Sequence, residues 1–136
     1  MKSRVYLSGP IFSLAEIAWA SRIKEAIEEK FSDRVEVIWP NEIQAKSKED
    51  VFARNVQSLE YCDILIAILD GTQVDDGTAW EMGYHWARGR KAIGIRTDFR
   101  KAGEFWGSKV NAMIEGSCPI VGKLDALLAE LERLLG

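Results

Sequence analysis

The sequence predicts a doubly wound α/β domain, a five-stranded parallel sheet with helices on both faces, and three observations carry that expectation. Strand-like and helix-like segments alternate along the whole chain. One of the strands, Asp63 to Leu69, is a nearly continuous apolar run of the kind covered on both faces in a parallel sheet. No linker, internal repeat or low-complexity stretch divides the 136 residues, a length near the commonest for one domain. Residues 1–136 are therefore expected to form a single domain.

The elements follow in order. Val5-Tyr6-Leu7 and its neighbours form a short buried strand that Ser8-Gly9-Pro10 interrupts. From Ser13 to Phe31 the apolar positions Ile17, Ala18, Ile23, Ala26, Ile27 and Phe31 recur at helical spacing, leaving Lys24, Glu25, Glu28 and Glu29 for solvent. Val35 to Trp39 is a second strand, ended by Pro40, and Lys48 to Tyr61 a second helix. After the third strand, Gly77 to Arg88 is helical, Ala92 to Ile95 is strand and Val110 to Glu115 helical. Pro119 to Val121 is the fifth strand, and the leucine stripe of Leu124 to Leu135 is a closing helix with a packing face. Right-handed crossovers between successive parallel strands place helices on both faces. In the flavodoxin-like order 2-1-3-4-5 the switch point lies between strands one and three, and ligands bind beyond their carboxyl ends. Those ends carry Ser8 to Phe12 and Asp70 to Glu81, so the two most distinctive loops are expected to share one crevice.

Composition excludes some classes of partner. The chain is 47% hydrophobic and 29% charged, with a formal net charge of −3, and so lacks the basic footprint of a protein that binds nucleic acid polymers. Cys62 and Cys118 have neither disulfide-framework nor metal-type spacing. No apolar run is long enough to span a bilayer, and the N-terminal residues lack a signal-peptide core. A cytoplasmic protein acting on small molecules, without membrane contact, is the expectation.

The stretch Asp75-Asp76-Gly77-Thr78-Ala79-Trp80-Glu81-Met82-Gly83-Tyr84 gathers three carboxylates at a strand-to-helix turn, with Asp70 just before them. Asp75 or Asp76 can cap the helix, and Gly77 lets the backbone turn closely. Glu81 falls about one turn inside, where the helix meets the sheet. If Asp75 and Glu81 both face the crevice, one can attack or stabilise an electron-poor carbon while the other manages a proton on the departing group. A solvated loop with a cap is the bland alternative. A magnesium site built from Asp70, Asp75 and Asp76 is a weaker one, because no phosphate-cradling glycine loop accompanies it.

Taken together, Tyr6-Leu7-Ser8-Gly9-Pro10-Ile11-Phe12, Asp63-Ile64-Leu65-Ile66-Ala67, Leu69-Asp70-Gly71, the acidic turn and Asn111-Ala112-Met113-Ile114 resemble nucleoside 2-deoxyribosyltransferases, in order and over most of the chain. The resemblance implies transfer of 2-deoxyribose between nucleobases in nucleoside salvage. Glu81 would attack C1′ and carry the sugar covalently, and Tyr6 would orient it. Asp75 would contact the nucleobase and assist its protonation, which leaves Asp76 as the helix cap. Phe12 would line the base-binding side, and Gly9, Pro10, Asn55, Asp70, Gly77 and Met113 are the other candidate substrate contacts. Asn111 would reach a sugar hydroxyl, in this family often from a neighbouring subunit, so a homo-oligomer with shared sites is implied. No cofactor or metal is.

The chain departs from the family at two positions. Asn55 stands where many relatives carry aspartate; an amide both donates and accepts, so base preference is open. His85 stands one turn beyond Glu81, where it either touches that carboxylate or lies on the helix surface without a catalytic part. Arg96 to Arg100 leaves the fourth strand at the same sheet edge. It is either a lid or specificity loop, whose two arginines could also grip a phosphate, or a loop ordered by Asp98 pairing with Arg96 or Arg100. Most of the five tryptophans are expected in the core or a subunit contact, Trp106 on a glycine-flanked flap being the exception. The rival functions are an N-glycosidase for nucleoside 5′-monophosphates and a non-catalytic nucleotide-binding or signalling module. The former needs hydroxyls or cations at the 5′ end, for which Ser8, Ser13, Ser117 and Arg100 are the candidates.

Overall fold

A computed structural model describes residues 1–136. Five parallel strands, β1 (Ser3–Ser8), β2 (Val35–Ile38), β3 (Ile64–Ile68), β4 (Lys91–Ile95) and β5 (Ile120–Val121), lie in the order β2-β1-β3-β4-β5. The expected doubly wound order is the observed one. Helices α1 (Leu14–Phe31), α2 (Lys48–Tyr61), α3 (Asp76–Ala87), α4 (Ala112–Glu115) and α5 (Leu124–Leu135) make the connections and the closing segment. A short 3-10 turn at Pro40–Glu42, absent from the sequence-based reading, follows β2 because the proline fixes φ just where the strand must end. No helix is long and apolar enough to cross a membrane.

Alternation along the strands sorts the core into two layers. Val5, Leu7, Ile64, Ile66, Ile68, Ile93 and Ile95 pack toward α1 and α5, whose contributions include Ile23, Ile27, Phe31, Leu127 and Leu131. Within α1, Ala20, Ile23, Ile27 and Phe31 form the buried stripe, while Ala18, expected inside, is exposed. On the opposite face, Tyr6, Leu65, Ala67 and Leu69 pack with Leu59, Met82 and Val110. Each fully buried leucine or isoleucine here contributes about 1.5–3 kcal/mol. The period of two has a second effect: Ser8 shares the face of Tyr6, pointing toward α2 and α3.

Caps set the helix ends. Ser13 accepts from Glu16 N at 3.2 Å and Ser47 from Asp50 N at 3.0 Å. Glu16 reciprocates by accepting from Phe12 N at 2.9 Å, so the start of α1 is closed by its own side chains. Asn111 caps α4, which starts two residues later than the periodicity suggests.

Arg96 is buried and locks the sheet edge. Its guanidinium donates to the carbonyls of Leu69 at 2.5 Å, Gly71 at 3.0 Å and Arg100 at 2.8 Å. Asp70 returns the connection by accepting from Thr97 N, Thr97 Oγ1 and Asp98 N, and Asp98 accepts from Gly71 N at 3.0 Å while pairing with Arg100. The loops after β3 and β4 are thus tied to each other. Of the two readings of residues 96–100, the loop ordered by Asp98 is the one observed. Both arginines are engaged within these loops, and both Asp70 oxygens accept from Thr97 or Asp98.

Candidate active site

The site begins with β1 parity. Tyr6 and Ser8 project from the same strand face toward α3, and both are buried, at 0% and 1% exposure. Tyr6 pairs in register with Leu65 and Ser8 with Ala67, so neither can shift without breaking the centre of the sheet. The Tyr6 hydroxyl donates to Oε2 of Glu81, and Ser8 Oγ donates to Oε1 at 2.5 Å. Each carboxylate oxygen therefore has its own fixed donor. Burial pushes the Glu81 carboxyl above the usual range; the bonds from Ser8 and Tyr6 oppose that, and the nearby charge of Asp75 adds to it. Burial, reinforced by the Glu81 charge, drives the Tyr6 phenol far upward, which keeps it a neutral donor.

Asp75 ends the loop that delivers α3. Its Oδ2 accepts from Thr78 N at 2.9 Å and from Thr78 Oγ1 at 3.0 Å, so Asp75 is the helix cap. This corrects the assignment of the cap to Asp76, which occupies the first turn and is exposed. An N-cap must sit at the last extended residue, and the helix begins one residue earlier than expected. Gly77 stands in the first turn, where a Cβ would lie 3.3 Å from Asp75 Oδ2. Asp75 retains a second oxygen outside the cap.

The remaining candidates are placed as follows. Gly9 passes over β3 so closely that a Cβ would lie 2.8 Å from Cβ of Ile68, and Pro10 is buried behind it. These two shape the loop that carries Phe12, a residue 78% exposed. Asn55 is half-buried on α2, one turn beyond Phe52, which meets Trp80 of α3 edge-on at 5.6 Å. Trp39 is in the core, whereas Trp80, Trp86 and Trp106 are exposed on the single chain.

Asn111 and Met113 do not meet Glu81 within the chain. Asn111 Oδ1 accepts from Met113 N at 2.8 Å, its Nδ2 donates to Glu104 at 3.2 Å, and Met113 is 81% exposed. Both line a groove of about 870 Å³ against Ala79, Met82, Gly83 and Trp86 of α3. At 100° per residue that flank of α3 lies about 150° around the axis from Glu81.

His85 fits neither reading of it. It is buried, and Nε2 donates to the carbonyl of Lys91 at 2.9 Å, placing the ring against β4 rather than at Glu81 or on the surface. Nδ1 has no partner. Burial depresses its proton affinity, so the neutral ring is the folded form. As pH falls through the ordinary histidine value of 6.5, the unfolded chain takes up a proton that the folded chain refuses, and stability falls. The denaturation midpoint is expected to be lower at pH 5.5 than at pH 7.5 (roughly the histidine range), and His85→Gln should flatten that difference. A slope unchanged in the variant would assign the effect to other groups.

Ser8, which sequence reasoning offered only as a 5′-phosphate candidate for the rival hydrolase, is the partner of Glu81 that it missed. Its two-residue offset from Tyr6 on a strand was the available signal. No group of three or more His, Cys, Asp or Glu side chains gathers in metal-binding geometry, and Asp70, Asp75 and Asp76 do not converge on one point.

Residues 5–113 match the family model described as nucleoside 2-deoxyribosyltransferase. An uncharacterized protein of Ureaplasma parvum serovar 3 is 32% identical over 95 residues, spanning 61% of this chain and 59% of that protein. The chain thus spans about three-fifths of the length of that curated relative. Among solved structures, the 2-desoxiribosyltransferase from Leishmania mexicana superposes with a TM-score of 0.79 at 23% identity, covering 94% of this chain and 95% of that one. A CMP N-glycosidase from Clostridium botulinum gives 0.57 at 24% identity, covering 96% and 98%. At these identities the structural likeness is one of fold.

Proposed function

Because the chain belongs to the nucleoside 2-deoxyribosyltransferase family, we propose that it transfers 2-deoxyribose between nucleobases through a deoxyribosyl ester of Glu81. The observation that carries this reading is the half-buried Glu81 carboxylate held through both oxygens, with Asp75 close enough to act on it electrostatically. In the first half-reaction a Glu81 oxygen bonds to C1′ as the C1′–N bond breaks, and the bonding pair leaves with the base. A proton supplied at the base from the Asp75 side keeps the leaving group from departing as an anion. In the second half-reaction a nitrogen of the incoming base bonds to C1′, loses its proton toward Asp75, and the ester pair returns to Glu81. Phe12 offers an exposed aromatic face to the base, and Asn55 an amide that can donate or accept.

The monophosphate N-glycosidase reading is disfavoured by the four groups it would need. Ser8 donates to Glu81, Ser13 caps α1, Ser117 Oγ donates to the carbonyl of Ile114 at 2.8 Å, and Arg100 pairs with Asp98. Each is committed within the chain. Incubation with thymidine or deoxyadenosine plus a second base, followed by chromatography, is expected to yield the exchanged nucleoside. Free base and deoxyribose without exchange would make it a hydrolase, and binding without turnover a recognition module.

The opposed flanks of α3 support a shared site. Asn111 and Met113, turned away from their own Glu81, lie where a second copy docked along the groove would bring its Glu81, Asn111 exchanging its amide bond to Glu104 for the substrate. Mixing Glu81→Gln chains with Asn111→Ala chains, each impaired alone, is expected to restore activity through the mixed sites. Mixtures no better than their components would place each complete site within one chain.

A further inference from the structure

We propose that Ser8 is a positioning residue for the nucleophile, the second of two buried hydroxyls that together hold the Glu81 carboxylate and take up its negative charge when the sugar leaves it. This rests on the transferase reading of the site. One donor would leave the carboxylate free to pivot. With only the Tyr6 bond, Glu81 could rotate about the held oxygen, and a glutamate has three side-chain torsions through which to do so. Ser8 closes that freedom by binding the other oxygen from two residues further along the same strand. Because β1 is hydrogen-bonded to β2 on one side and β3 on the other, the two donors have a fixed separation. A reacting C1′ must approach within a narrow cone of one oxygen, so this clamp acts on orientation in both half-reactions.

The charge argument adds a direction. A hydroxyl bonds more strongly to a carboxylate than to a neutral ester oxygen. In the second half-reaction the incoming base nitrogen forms its bond to C1′, the C1′–O bond to Glu81 breaks, and the pair returns to the carboxylate. Both hydroxyls stabilise that product, so they favour release of the sugar from the enzyme. Burial opposes a free carboxylate at this depth, and the Ser8 bond heads the interactions that restrain the effect. Ser8 is 1% exposed and its hydroxyl already serves Glu81, so it is not available to a substrate phosphate.

The test begins without substrate. In protein carrying ¹³C-carboxyl glutamate, the Glu81 resonance is identified by its loss in Glu81→Gln, and its titration midpoint is expected to rise by about one pH unit in Ser8→Ala. Ser8→Thr, which keeps the hydroxyl, should return it toward the starting value. A midpoint unchanged in Ser8→Ala overturns the inference. With a deoxynucleoside and acceptor base, Ser8→Ala should lower kcat/KM by roughly tenfold, move the acid limb of its pH profile upward, and raise the fraction of deoxyribosyl-enzyme at steady state. A rate loss with the acid limb unmoved would make Ser8 a packing residue and also overturn it. A wild-type protein that exchanges no base would sink the transferase reading, while the substrate-free titration would still decide whether Ser8 governs Glu81.

Discussion

Glu81→Gln is expected to lower base exchange by at least ~1,000-fold, because the variant removes the atom that carries the sugar. Glutamine is the informative replacement. Its carbonyl can accept from one of the two buried hydroxyls while its amide donates to the other, so Tyr6 and Ser8 keep partners. Alanine would leave both hydroxyls buried without an acceptor, at a cost of about 1–3 kcal/mol each. The glutamine variant also relieves the burial of a carboxylate, so its denaturation midpoint is expected at or above that of the wild type. Wild-type protein quenched during turnover should gain the mass of one deoxyribosyl unit, and Glu81→Gln should not. Full exchange activity in the variant would remove Glu81 from the mechanism.

Asp75→Asn is expected to slow base departure by roughly 100-fold with little change in stability. The cap explains the contrast. Asparagine can accept from Thr78 N as aspartate does, so the start of α3 is preserved. Asp75→Ala loses the cap as well, and about 1 kcal/mol of stability with it. Removing the charge has a second signature. The field of Asp75 raises the proton affinity of Glu81, so Asp75→Asn should move the acid limb of the rate profile downward, the opposite of Ser8→Ala. Single-turnover base release, compared with thermal denaturation of both variants, separates the roles; an unchanged rate in Asp75→Asn would leave Asp75 a cap alone.

The strand order could be read from the chain because apolar runs and their turn residues are local signals, and a doubly wound topology has few alternatives. Ile64 to Ile68 announces a central strand by composition alone. The acidic turn was legible for the same reason: a capping aspartate and a carboxylate one turn later are defined by short spacing. Which of Asp75 and Asp76 caps was not, since both are good caps and the choice depends on where the helix starts. His85 was misplaced because its ring direction is set by α3 packing on β4 through the carbonyl of Lys91. The burial of Arg96 is not legible for a parallel reason. Its charge suggests solvent, but three backbone carbonyls converge on it once the two loops meet.

By itself the sequence determined the alternation of elements, the parallel sheet and the crevice into which Glu81 and Asp75 would fall. Those depend on periodicity and on local turns. Only the tertiary structure decided that both Glu81 oxygens are held from β1, that Asp75 is the cap, that Asp70 belongs to a loop clasp, and that Asn111 lies on the far flank of α3. Each of these sets side chains from distant segments against one another. Their distances depend on strand register and on the rotation of a helix about its axis, which packing of the whole core fixes and no short window of residues encodes.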